Sequence, residues 1–137
     1  MANEALIAVV KKIAQQGKGG DVDGAYAGYG ALFTSAEFAG YRPEDQRQAL
    51  KLMVYGKITG RPTAAIVEAH RAALGPLLVL TEAHHEPIDY EMLGICQQLT
   101  GDEASAAIAW RAGLEIERAR DAGSVLCGTL MRRASSV

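Results

Sequence analysis

Glu82, His84, His85 and Glu86 form the densest cluster of metal-ligating side chain types in the sequence. Adjacent histidines on a helix project about 100° apart, so His84 and His85 do not converge on one ion. His70 stands elsewhere, and neither H-E-x-x-H nor C-x-x-C spacing occurs. The cluster is therefore expected to be an exposed polar connection that holds no metal. Cys96 and Cys127 have no base beside them in sequence, and helical cysteines behave as small hydrophobes. Two cysteines are also too few for a disulfide scaffold, so both are expected to be reduced core residues.

Gly17-Lys18-Gly19-Gly20 has the glycine content of a phosphate-binding loop but lacks the G-x-x-x-x-G-K-[ST] order and a preceding strand. It reads as a flexible turn. Asp21 and Asp23, and again Asp102 and Glu103, stand where helices begin, where carboxylates satisfy free N–H groups and oppose the helix dipole. Arg132-Arg133 complements a helix C-terminus in the same way. Trp110 is expected to be a packing residue. No combination of these groups makes a catalytic site, so neither an enzyme nor a cofactor is expected.

The elements that must carry these residues are helical. The chain has 137 residues, 49% hydrophobic and 22% charged, the balance of a folded globular domain, here expected to be a single one. A net charge of -2 leaves no excess of cations for phosphates, which argues against nucleic acid as a partner. The N-terminal residues lack a basic n-region and Lys11-Lys12 break the first apolar run, so the cytoplasm is expected. No run approaches the roughly 18 apolar residues of a bilayer span, so membrane insertion is not expected. Helical periodicity predicts helices over about 3–16, from Asp21, 43–59, from Pro62, 88–99, from Asp102, and 124–133. Pro43, Pro62 and Pro87 mark helix starts, and Gly75-Pro76 either ends or kinks the fourth helix.

Turn glycines recur at Gly20, Gly60 and Gly101, separated by 40 and 41 residues. Five residues after each comes Ala25, Ala65 or Ala106, and four beyond that Tyr29, Ala69 or Trp110. Seven before each comes Ile13, Met53 or Gly94. Two antiparallel helices joined by a tight turn must approach closely just beyond it, which small residues allow. One hairpin cannot bury its own apolar face, so copies stack and share a core.

The third unit, with Tyr90-x-x-Leu93-Gly94, Thr100-Gly101-Asp102, Ala106, Trp110 and Gly113-Leu114, resembles the tetratricopeptide repeat (TPR). The second keeps Leu52, Gly60, Ala65 and, one position late, Ala73-Leu74; the first keeps Gly20, Ala25, Tyr29 and Leu32. The spacing of about 40 exceeds the family's usual 34. The resemblance implies an all-α, α-α superhelix of three stacked hairpins, about 3–40, 43–81 and 87–120, with a capping helix at about 123–134. It also implies a concave groove lined by the first helix of each hairpin. The groove positions would be Val10, Ala14 and Lys18, then Arg47, Leu50, Val54, Lys57 and Ile58, then Glu91, Ile95, Gln98 and Leu99.

Leu50, Val54, Ile58, Ile95 and Leu99 would make that set an apolar strip with Arg47 and Lys57 beside it. Such a strip is core, a seat for a partner protein, or a surface for self-association. The Lys and Asn pattern of a carboxylate clamp is absent. The expected function is a protein–protein interaction module, of adaptor, scaffold or chaperone-like kind. The alternatives are a structural homo-oligomer using the same helices and a small helical enzyme or ligand-binding bundle.

Overall fold

The computed structural model describes residues 3–136, and every described element is a helix. They are α1 (Glu4–Lys18), α2 (Val22–Thr34), α3 (Ala36–Ala39), α4 (Pro43–Val54), α5 (Ala64–His84), α6 (Pro87–Leu99), α7 (Glu103–Asp121) and α8 (Val125–Ser135). Side chains close most N-termini. Asn3, Asp21 and Asp102 accept the N–H of Leu6, Gly24 and Ser105 at 3.0, 3.0 and 3.1 Å. Pro43 and Pro87 open α4 and α6 without losing a hydrogen bond. The three recurring turn glycines, Gly20, Gly60 and Gly101, are the described glycines with positive φ, at 98°, 74° and 93°. Left-handed backbone is what a glycine supplies at no steric cost.

Two boundaries differ from the sequence-based expectation. α4 stops at Val54 instead of Thr59, because Gly56 is a poor helix former and Ile58-Thr59 are β-branched. Lys57, Ile58 and Gly60 therefore lie in a connection. α5 starts at Ala64, where the hydroxyl of Thr63 accepts the Ile66 N–H at 3.3 Å, so Pro62 precedes the cap. α5 then runs through Gly75-Pro76 without ending. The short α3 has no periodic signal of its own; Phe38, fully buried, holds it down.

The chain divides into two compact units, Met1–Ala73 and Leu74–Val137, with the boundary inside α5. In the first unit α1 and α2 form an antiparallel hairpin. Ile13 packs against Gly28, where a Cβ would come 2.9 Å from Ile13 Cγ1. The core gathers Leu6, Ile13, Leu32, Phe33, Phe38, Leu50, Met53, Val54 and Ile66. Tyr29, Phe33, Phe38 and Tyr41 form an aromatic chain with centroids 5.8, 5.2 and 5.9 Å apart. The buried Gln46 donates to the Tyr41 carbonyl at 2.8 Å and so ties down the connection into α4.

In the second unit α6 and α7 pair across Gly101, and α8 packs on both. A Cβ at Gly94 would fall inside the indole of Trp110, whose Nε1–H donates to the Glu91 carbonyl at 3.2 Å. A Cβ at Gly113 would lie 2.9 Å from Tyr90 Cβ. Cys96 and Cys127 are free and buried, and burial pushes the Cys96 thiol up to about 12.

α5 has 21 residues and is, by length and mean hydropathy, apolar enough to cross a bilayer, which no single apolar run in the sequence announces. Ile66, Ala69, His70, Ala73, Leu77 and Leu80 are buried, while Glu68 and Arg71 pair in solvent at 3.2 Å. That is the pattern of a helix buried along one side.

Candidate functional site

His85, Glu86 and Asp21, three of the residues with metal-binding character, have structural partners. Among the described residues no group of three His, Cys, Asp or Glu side chains is close enough to hold an ion. His85 takes a left-handed backbone, φ 52°, at the end of α5, and its Nδ1 lies 3.3 Å from the Tyr90 hydroxyl. Glu86 pairs with Arg120 at 3.0 Å. Asp21, at the start of α2, accepts from Gln16 Nε2 at 2.8 Å and from Gly24; these hydrogen bonds hold its carboxyl below the usual carboxylate range.

The groove positions implied by the TPR resemblance separate into three groups. Leu50 and Val54 are 0% and 6% exposed, so they are core side chains and not groove side chains. The reason is rotational: α4 turns Gln46, Ala49, Leu50, Met53 and Val54 inward as one stripe. Arg47, on the same helix, is half-buried, and Lys57 and Ile58 lie beyond its end. In the second unit, Glu91 is buried and Ile95 is half-buried, because α8 lies over that side of α6. Ile95 packs on the cluster of Ala106, Trp110 and Leu130. Arg133 of α8 reaches Glu91 Oε2 at 3.0 Å, with its guanidinium 5.8 Å from the Trp110 ring centre. Gln98 remains exposed and Leu99 half-buried.

What stays open is a trough in the first unit, between α1 and α4. Two adjoining hollows form it. One encloses about 350 Å³ among Leu6, Ile7, Val10 and Lys11 of α1 and Asp45, Gln48, Ala49 and Leu52 of α4. The other, of about 560 Å³, lies among Ala14, Gly17, Lys18, Tyr26 and Tyr29 on one side and Leu52, Met53, Gly56 and Lys57 on the other. Ascending positions of α1 meet ascending positions of α4, so the two helices run alongside each other in the same direction. Leu52 belongs to both hollows and is 56% exposed; Ile7 is 40% exposed.

The trough contains Val10, Ala14, Lys18 and Lys57 from the implied groove set, but its centre is Leu52. Neither Leu52 nor Ile7 is an expected partner-binding residue. The signal was present in the sequence: on the polar line Asp45, Gln48 and Leu52 of α4, a leucine stands where a third polar residue would be ordinary.

The floor is almost wholly apolar. Asp45 is held by Arg42, whose Nε and Nη2 donate to its two carboxylate oxygens at 3.1 and 3.3 Å. Lys11, Lys18 and Lys57 are exposed along the edges, and none of them forms an ion pair among the described residues. Burial raises the Tyr26 and Tyr29 phenols above their ordinary values, so both present neutral hydroxyls. This arrangement can bury apolar surface and attract negative charge. No family model, curated protein or solved structure matches the chain, so the trough's own side chains are the guide to what it does.

Proposed function

We propose that this chain is a protein–protein interaction module, an adaptor, scaffold or chaperone-like part of the cytoplasm, built as a TPR-like stack of helical hairpins. A segment of a partner protein occupies the α1–α4 trough. The observation that carries this reading is the exposure of Leu52 between two adjoining apolar hollows. Leaving that surface in water costs about 25 cal/mol per Å², and covering it returns the same amount before binding costs. The repeat reading is supported by the left-handed glycines at Gly20, Gly60 and Gly101 and by the same-direction run of α1 and α4.

A photoreactive residue in place of Leu52 tests the proposal in the native cell, with the same residue at the exposed Glu44 as control. A discrete adduct formed from position 52 and not from position 44 is the expected result. No adduct, or the same adducts from both positions, overturns it. Self-association is the second reading, favoured by Ile108 and Val125 in the second unit, 66% and 85% exposed. Light scattering on the purified chain separates the two, since only self-association gives a multiple of the monomer mass.

A further inference from the structure

We infer that the occupant of the trough is an amphipathic α-helix whose apolar face is flanked by acidic residues. The inference rests on the interaction-module reading and adds the conformation and charge of the partner segment.

The conformation follows from the trough's scarcity of backbone partners. Its walls are mainly α1, α2 and α4, whose interior N–H and C=O groups are already used within each helix; only Gly56 and Lys57 line it from outside a helix. Among the lining side chains, Asn3 caps α1 and Asp45 is engaged by Arg42, which leaves Gln48, the lysines and the Tyr26 and Tyr29 hydroxyls as polar groups. An extended segment pressed onto this floor would bury more N–H and C=O groups than these few side chains can bond. A helix satisfies its own backbone and presents only side chains, so it can lie on Ile7, Val10 and Leu52 without that loss. α1 has 15 residues, which at 1.5 Å per residue makes a trough of about 22 Å, the length of a four-turn helix.

The charge follows from the edges. Lys11 and Lys18 are seven residues apart on α1, about 10 Å along the axis, and Lys57 faces Lys18 across the second hollow. The lining carboxylate, Asp45, is already neutralised by Arg42. The trough therefore carries three positive charges that are unpaired among the described residues, although the whole chain is at -2. Carboxylates two turns apart on an incoming helix would meet Lys11 and Lys18 while leucines between them reached Leu52.

The test uses the full chain and three synthetic 18-residue peptides, followed by fluorescence anisotropy. One has leucines along one helical face with glutamates beside them. The second has lysines in place of the glutamates. The third is the first with two central prolines. The acidic helix is expected to bind at least about tenfold more tightly than the basic one, by a margin that shrinks as salt rises. The proline-broken peptide is expected to lose binding. Leu52→Asp should abolish binding, and the triple charge reversal Lys11→Glu, Lys18→Glu, Lys57→Glu should make the basic peptide the tighter ligand. These substitutions are at exposed positions, and circular dichroism verifies that each variant is folded. Equal binding of acidic and basic peptides, indifference to the charge reversal, or retained binding of the proline peptide overturns the inference. So does binding to phosphatidylserine vesicles that needs the same residues while no peptide binds. A dimer in light scattering that Leu52→Asp dissolves also overturns it, since the trough would then hold a second copy. If position 52 still cross-links to a partner while the charge preference is absent, the interaction-module reading survives and this inference fails.

Discussion

The Thr63 hydroxyl donates to a carboxylate oxygen of Asp23 at 2.7 Å, joining two residues 40 positions apart in the chain. Asp23 stands in the first turn of α2 and Thr63 at the cap of α5. Further along, Tyr26 stacks on His70 with centroids 6.3 Å apart, and Gly30 lies beside Ala69 and Ala72. α2 and the first part of α5 thus run in the same direction at the spacing of the turn glycines, as α1 and α4 do.

Thr63→Val removes both the bond to Asp23 and the cap of α5. It is expected to destabilise the chain by about 1–1.5 kcal/mol, most of it from the cap. Asp23→Ala should cost less, because its bond is exposed. Urea denaturation of both single variants and the double variant should give a coupling energy of about 0.5 kcal/mol; zero coupling means the bond adds no net stability.

Three glycine-to-alanine changes should separate helix propensity from packing. At Gly75, in mid-helix, alanine gains helix propensity, but its Cβ would crowd the ring of the following Pro76, so a net change within about 0.5 kcal/mol is expected. At Gly94 the added methyl meets Trp110, and destabilisation of about 1–3 kcal/mol is expected, with a shift in tryptophan emission. At Gly28 the added methyl would meet Cγ1 of Ile13, so Gly28→Ala is expected to destabilise as well. Thermal unfolding of the set would contradict this picture if Gly94→Ala matched Gly75→Ala.

His70 is fully buried on α5, bonded through Nδ1 to the Ile66 carbonyl at 2.7 Å, while its Nε2 is buried without a partner. Tyr26 covers it from α2. Burial lowers its pKa below the ordinary 6.5. The unfolded chain therefore takes up a proton at a pH where the folded chain still refuses it. Its contribution to stability is complete above about pH 6.5 and is lost as pH falls through the folded-state value. Denaturation midpoints from pH 7.5 to 5.5 should fall for the native chain and run flatter for His70→Gln. Parallel curves would exclude His70 as the source.

Glu91 is buried beneath Arg133 and Trp110. Arg133→Ala removes this ion pair and should cost about 2–4 kcal/mol. Converting both residues to uncharged ones of similar size, Glu91→Gln with Arg133→Met, should restore most of that stability. Chemical denaturation of the two variants provides the comparison, and a double variant as weak as the single one would mean that packing, not charge, was lost.

Most helix starts were legible because caps and prolines act locally: Asn3, Asp21, Asp102, Pro43 and Pro87 need no tertiary information. The turn glycines were legible for the same reason. The facing of α4 was not. Leu50, Leu52 and Val54 are similar in type, and only rotation about the axis decides which go inward; Leu52 is the one left outside. The fate of Glu91 and Ile95 was hidden too, since Arg133 meets Glu91 across 42 residues of chain. α3 escaped because four residues held by one buried phenylalanine make no period.

Where two hairpins meet the same crowding problem, they place the bulk on opposite partners. Ile13 is large against Gly28, whereas Gly94 is empty against Trp110. Exchanging single helices would therefore fail in both directions. In the register set by Gly20 and Gly101, α7 laid on α1 would bring Ala109 and Trp110 to the places of Gly28 and Tyr29, against a branched side chain. α2 laid on α6 would offer Tyr29 to a hole cut for an indole. The smallest piece that can be shuffled, inherited or grafted intact is the pair, because lock and key were cut together and differently each time.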